Sequence, residues 1–126
     1  GKPAVYHIVE SSKSFQEILF ELEPAVQRLG LSVIAVHDLG AALARRDNGF
    51  DEDYAIYDII GWRQAEQLLS DELRAGLFLP WRLAVYTENG ATYLGFLRQP
   101  PVADPRLQRS LDEAAARLLQ LVDEMR

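Results

Sequence analysis

The dipeptide Asn89-Gly90 constrains the fold of this chain more than any other feature of its sequence. Asn-Gly is the preferred pair for a two-residue turn between antiparallel strands, because both residues tolerate positive φ angles and the turn matches the twist of the strands. The segments that flank it, Trp81–Glu88 and Ala91–Leu97, are rich in β-branched and aromatic residues. We therefore predict a β-hairpin over residues 81–97.

A long amphipathic helix is predicted upstream, over Ser14–Leu29. Ser14 and Glu17 form a capping box at its start, apolar residues recur at helical spacing, and Gly30 ends it. Pro24 lies inside this segment, where it removes one backbone hydrogen bond. We expect a kink or a tightened turn near Phe20–Glu21.

A second long helix is predicted after the hairpin, over Asp104–Met125. Asp104 is a suitable N-cap, and Pro105 suits the first helical position because its φ angle is already helical. Apolar residues then line one face of the segment.

Shorter elements complete a mixed α and β pattern. We predict strands at Ala4–Glu10, Leu31–His37 and Tyr54–Ile60, a short helix from Asp38 to about Arg45, a helix at Trp62–Leu69, and a hydrophobic crossing segment at Gly76–Pro80. The first strand is apolar enough to have both faces at least partly covered. Strands so close in sequence favour antiparallel pairing, and two one-sided helices need a sheet to cover. The prediction is one α+β domain over residues 1–126, a two-layer sandwich with one mainly antiparallel five-stranded sheet and two long helices on one face.

Composition excludes several classes of function. The chain has no cysteine, so it has no thiolate nucleophile, disulfide or Cys-based metal site. A net charge of −6 and scattered basic residues argue against binding to nucleic acid or anionic membranes. The sequence has no phosphate-binding glycine loop and no serine in a nucleophile-elbow context. Because it also has no apolar run of about 20 residues and no signal-peptide pattern, we expect a soluble cytoplasmic protein without a membrane span.

A metal or another cofactor is not expected either. His7 and His37 are the only histidines, and they lie on different predicted strands without the spacing of a metal site. Asp47 and the run Asp51-Glu52-Asp53 lack the alternating ligands of an EF-hand loop, so a solvated turn is the better interpretation.

Asp58 is the best single candidate for catalysis, because a carboxylate among Ile56, Ile59 and Ile60 would have a raised pKa. The alternative is that it points outward at a sheet edge or pairs with an arginine such as Arg82. His37 could assist it, or could simply be a hydrogen-bonded residue at a strand end.

A group of aromatic residues is the other candidate site. Aromatic side chains with polar tips near a sheet end can wall a pocket or a partner surface, and they can equally fill a core. The members of this group are Tyr57, Trp62, Phe78, Trp81 and Tyr86.

The third strand and the hairpin carry a resemblance to a known family. The matching residues are Tyr54–Ile60, then Ala65 and Leu68-Leu69, then Gly76-Leu77-Phe78-Leu79-Pro80 leading into Arg82–Tyr86. Over about residues 4–101 the chain resembles the bacterial and archaeal family named domain of unknown function 302, with the Gly-Leu-Phe-Leu-Pro segment as the most specific part. The resemblance implies a small α+β fold related to the TATA-box-binding protein, often dimeric, with no established activity.

Two positions depart from the family pattern. Many relatives have a cysteine near the end of the third strand, often followed by Asn-Pro, and another directly after the Leu-Pro that precedes the hairpin. Here these positions are Ile60, followed by Gly61-Trp62, and Trp81. A thiol function therefore cannot be carried over. In the fold that the resemblance implies, the end of the third strand lies near the start of the hairpin, so we expect Trp62 and Trp81 to border a common region.

The sequence favours a non-enzymatic binding or interaction module, a homodimer that presents an aromatic-lined cleft or a sheet edge to a small apolar ligand or a protein partner. The candidate contact residues are His37, Asp58, Trp62, Phe78, Trp81 and Tyr86. The competing hypothesis is an enzyme with Asp58 as general acid or base, and a third is a purely structural subunit. A pocket that holds Asp58 beside another titratable group would favour the enzyme, and a closed core there would favour the module.

Overall fold

The computed structural model describes residues 5–126, which form five strands, four α-helices and one 3-10 helix. Ala4, at the start of the first predicted strand, lies outside the described residues. In chain order the elements are β1 (Tyr6–Ser11), α1 (Phe15–Arg28), β2 (Ser32–Asp38), α2 (Leu39–Ala44), β3 (Tyr54–Ile60), α3 (Trp62–Asp71), the 3-10 helix (Leu73–Phe78), β4 (Trp81–Glu88), β5 (Ala91–Leu97) and α4 (Pro105–Glu124).

The strands form one sheet in the order β1-β5-β4-β3-β2, and every neighbouring pair is antiparallel. The hairpin has the predicted boundaries, and Asn89 and Gly90 have φ angles of 50° and 84°. The α+β fold class predicted from the sequence is therefore confirmed.

The long helices α1 and α4 pack on the same face of the sheet and share one hydrophobic core with it. Alternate strand residues such as Leu83, Val85 and Leu94 point into this core together with Leu22 of α1 and Leu121 of α4, and all five are fully buried. Burying a side chain of this size stabilises the fold by about 1.5–3 kcal/mol.

Side chains cap both long helices as the sequence predicts. At α1, Ser14 Oγ accepts a hydrogen bond from the Glu17 amide at 3.1 Å, and Glu17 Oε1 accepts one from the Ser14 amide at 3.2 Å. At α4, Asp104 Oδ1 accepts from the Arg106 amide at 2.9 Å. Helix α1 continues without interruption across Pro24.

Two local expectations need correction. In β1, Val9 is buried, but Tyr6 and Ile8 are 60% and 46% exposed. The strand lies at the edge of the sheet, and the helices cover only one of its faces. The predicted crossing segment begins inside a 3-10 helix, in which the amide of Ala75 donates to the carbonyl of Glu72 at 3.0 Å.

No helix within residues 5–126 is long and apolar enough to cross a membrane.

Candidate functional site

The sheet face opposite α1 and α4, which we call the open face, is partly exposed to solvent. Because strand pairing fixes the register, its side chains form three rows across the strands. Row 1 contains Tyr6, Leu97, Arg82 and Asp58; row 2 contains Ile8, Gly95, Ala84, Ile56 and His37; row 3 contains Glu10, Tyr93, Tyr86 and Tyr54.

A groove crosses the strands along row 2, and we call it the sheet groove. Its floor is low because Ala84 has only a methyl group and Gly95 has no side chain, whereas the residues of rows 1 and 3 on β4 and β5 are large. The groove has a volume of about 360 Å³, and Ile8 and Ile56 contribute to its lining. Its surroundings are therefore mostly apolar and aromatic.

The three tyrosines in row 3 form a continuous stack, and two of them, Tyr54 and Tyr86, line the sheet groove. The ring centroids of Tyr54 and Tyr86 are 5.1 Å apart, and those of Tyr86 and Tyr93 are 5.4 Å apart, with interplanar angles of 12° and 24°. Burial, and to a smaller extent the charges of Tyr54, Glu88 and Tyr93, raises the pKa of Tyr86. The Tyr86 phenol is therefore neutral near neutral pH.

A polar cluster lies at one end of the open face. His37 Nε2 is 2.7 Å from Asp58 Oδ2, and Arg82 Nε is 3.6 Å from Asp58 Oδ1. The Asp58 side chain is only 14% exposed, and its Oδ1 is buried without a hydrogen-bond partner. The pairing of Asp58 with Arg82, which the sequence left as an alternative, is thus present, and His37 joins it.

A β-bulge brings His37 to this face. The register between β2 and β3 shifts between Val33 and Ala35, so His37 lies opposite Ile56. Without the extra residue, His37 would lie opposite Ala55, whose side chain points into the core, and it could not reach Asp58.

The two histidines lie at opposite edges of the sheet. His7 is on β1, where its ring lies 5.4 Å from that of Phe96 and its Nδ1 is 3.3 Å from Arg98 Nη2. Residues 5–126 contain no group of three or more His, Asp or Glu side chains suited to a metal ion. In the acidic turn, Glu52 instead accepts hydrogen bonds from Thr87 Oγ1 at 2.8 Å and from the Asn89 amide at 3.0 Å.

Two of the aromatic candidates line a second groove. It has a volume of about 290 Å³ and lies between the 3-10 helix, the start of β4 and α4, where Phe78, Trp81, Leu111 and Leu118 line it. Trp81 belongs to the core and is 7% exposed.

Trp62 does not join this region. It is 57% exposed at the start of α3 and lines neither the sheet groove nor the second groove. The structure therefore brings His37 and Asp58 together, places Tyr86 on the same face, and separates Trp62 from the groove that Trp81 lines.

Sequence reasoning missed Tyr54, Tyr93, Ala84 and Gly95 as members of the candidate site. A two-residue hairpin turn also fixes the register, so Asn89-Gly90 alone pairs Tyr86 with Tyr93 and Ala84 with Gly95. That signal was available in the sequence.

The comparisons with known proteins agree with the fold. A family model described as "Domain of unknown function DUF302" matches residues 7–125. A crystal structure of the uncharacterized conserved protein DUF302 from Bacillus stearothermophilus is similar, with 25% sequence identity and a TM-score of 0.89 over 98% of this chain and 100% of that one. Among curated proteins, none matches the chain.

Proposed function

The chain belongs to the DUF302 family, and we propose that it is a non-enzymatic binding module whose sheet groove holds a small, flat, apolar ligand. The observation that carries the proposal is the stack of three tyrosines beside a floor of Ala84 and Gly95 on a face that the helices leave open.

The dimensions and chemistry of the sheet groove support such a ligand. Its volume of about 360 Å³ falls within the roughly 300–1,000 Å³ of small-molecule sites. Aromatic pairs contribute about 0.5–1.5 kcal/mol beyond the burial of their area, so a flat ring system against the tyrosines would gain from stacking as well as from desolvation. Neutral phenol groups could also fix its orientation by hydrogen bonding.

We further propose that the protein is a homodimer. Tyr6 and Leu97 line the groove on its row 1 side and are 60% and 62% exposed. Arg82 and Glu10 border this apolar patch. An apolar patch with a polar rim is typical of an interaction surface. A second copy that covers Tyr6 and Leu97 would shield the groove from water.

Light scattering after size-exclusion chromatography tests the homodimer. We expect a mass of two chains for the wild type and of one chain for Leu97→Asp, because the new carboxylate would be buried in the interface. A monomeric wild type would contradict the dimer and would leave the ligand proposal standing.

Fluorescence titration with N-phenyl-1-naphthylamine, a neutral aromatic probe, tests the ligand site. We expect saturable binding of one probe per chain and a higher melting temperature, because the probe binds only the folded protein. Ala84→Leu fills the floor of the groove and should abolish binding.

Ala91→Leu is the matched control for this experiment. Ala91 pairs with Glu88 on the same sheet, beyond the tyrosine row, and does not line the groove. The control variant should bind the probe as the wild type does. Equal binding by Ala84→Leu and wild type would contradict the proposal.

The hydrogen bond between His37 and Asp58 favours a second candidate function, which is an enzyme. A carboxylate that accepts the Nε2 proton fixes the tautomer of the imidazole and leaves Nδ1 as a free base. His37 would then be the base and Asp58 its positioning residue, which reverses the roles expected from the sequence. The His37 side chain is 55% exposed, so the pair faces solvent and not an enclosed pocket.

Hydrolysis of activated aryl esters distinguishes the two functions. The binding module predicts that wild type, His37→Ala and Asp58→Asn hydrolyse p-nitrophenyl acetate at the same slow rate. A wild type that is at least about a hundredfold faster than both variants, the usual contribution of a general base, would favour the enzyme.

A further inference from the structure

The sheet groove carries one formal charge. Arg82 is the basic residue among the described residues that line it, and none of those lining residues is acidic. Two glutamates of the open face lie outside the lining. Glu10 belongs to row 3, and Glu88 lies two residues after Tyr86 on β4. An anionic group that enters the groove therefore meets a guanidinium at its wall.

Arg82 retains donors for such a group. Its side chain is 75% exposed, and its contact with Asp58 uses Nε at 3.6 Å, which is longer than a hydrogen bond. In the described part of the chain, its side chain makes no hydrogen bond that meets the usual distance limits. The planar guanidinium has five N–H donors and binds carboxylate, sulfonate or phosphate oxygens in pairs.

Asp58 limits the strength of this interaction without removing it. Asp58 Oδ2 is hydrogen-bonded to His37, and the Asp58 side chain is mostly buried. Asp58 therefore contacts the guanidinium only at Nε, and the other N–H donors of Arg82 stay accessible. The net charge of −6 repels anions at long range, but distant charges are screened over about 8 Å at physiological ionic strength. Recognition then depends on direct hydrogen bonds to Arg82.

We propose that the ligand of the sheet groove is a flat apolar molecule that carries one anionic group, and that Arg82 binds this group while the tyrosine row contacts the rings. The inference rests on the proposed function, since it assigns a ligand class to the same groove.

Two probes with the same ring system test this inference. 8-Anilinonaphthalene-1-sulfonate carries a sulfonate, and N-phenyl-1-naphthylamine is the same molecule without it. We expect the wild type to bind the sulfonate probe about tenfold more tightly, as a charge-assisted hydrogen bond would give. Arg82→Gln should remove this preference and leave the affinity for the neutral probe within about twofold.

Arg63→Gln is the matched control, because it removes the same charge from an exposed position on α3. It should leave both affinities unchanged. Equal affinity of the wild type for the two probes, or a sulfonate preference that persists in Arg82→Gln, would overturn the anion site while the groove itself stands. Failure of the wild type to bind either probe would instead overturn the groove and with it this inference. If Arg82→Gln does not fold, Arg82→Met, which keeps the aliphatic stem, provides the same comparison.

Discussion

The phenol rings of Tyr54 and Tyr86 stack with their centroids 5.1 Å apart and their planes 12° from parallel. The two residues are direct partners in the pairing of β3 with β4, and Tyr86 has Tyr93 on its other side. Tyr86 is therefore the middle ring of the three stacked tyrosines, and it also lines the sheet groove.

Loss of the Tyr86 ring should weaken ligand binding. We expect Tyr86→Ala to reduce the affinity for N-phenyl-1-naphthylamine about tenfold, because the variant lacks the aromatic ring against which the ligand would pack. Tyr86→Phe keeps the ring and should bind within about twofold of the wild type. Fluorescence titration measures both, and an unchanged affinity in Tyr86→Ala would show that the ligand does not contact the row.

Alkaline pH should destabilise the protein through its buried phenols. Burial raises the pKa of Tyr57, with a smaller contribution from Glu23, and burial also raises the pKa of Tyr86. The unfolded chain therefore loses these protons first, near pH 10. The contribution of these phenols to the free energy of unfolding should be fully present below about pH 10 and be lost as the pH rises from there through the pKa of the folded state.

Urea unfolding at about pH 8 and about pH 10.5 measures this fall, and phenolate absorbance follows the titration itself. Tyr57→Phe should reduce the fall, because the variant lacks one of the phenols whose pKa is raised in the folded protein. An identical pH dependence in wild type and variant would contradict the assignment.

Truncation of the two tryptophans should have different consequences. Trp81 is 7% exposed within the core, so Trp81→Ala should lower the free energy of unfolding by about 3–5 kcal/mol. Trp62 is 57% exposed, and Trp62→Ala should cost less than about 1 kcal/mol. Chemical denaturation provides both values, and similar losses in the two variants would mean that Trp62 is also a packing residue.

The purified protein should contain no stoichiometric transition metal. His7 and His37 lie on opposite edge strands of the sheet, too far apart in the fold to share a tetrahedral site, and the chain has no cysteine. Elemental analysis of protein purified without an affinity tag checks this. About one zinc, copper or iron per chain would overturn the prediction.

Local sequence signals predicted the elements well because each depends on few residues. Asn89-Gly90 set the hairpin, and Ser14 with Glu17 set the start of α1. The long helices were assigned correctly to one face, because their apolar stripes require the same core. The domain boundaries and the cytoplasmic location remain predictions from the sequence.

Apart from the pairs that the hairpin turn fixes, the candidate site depends on relationships that no local pattern contains. The contact between His37 and Asp58 requires a bulge near Ile34, and nothing in the β2 sequence marks the extra residue. The predicted two-layer sandwich leaves one face of the sheet uncovered, but no local pattern indicated that tyrosines from three strands would stack there beside Ala84 and Gly95. Trp62 and Trp81 were expected to border a common region because the end of the third strand lies near the start of the hairpin. Ile59 of β3 does pair with Trp81, but Trp62 is the first residue of α3 and its side chain is exposed.

Backbone amide chemical shifts during a titration with N-phenyl-1-naphthylamine test the sheet groove as the ligand site most directly. We expect the largest changes at Ala84, Tyr86 and Gly95, with small changes along α4. Largest changes at Phe78, Leu111 and Leu118 would place the ligand in the second groove and contradict binding in the sheet groove. A titration without saturable shifts would also contradict it.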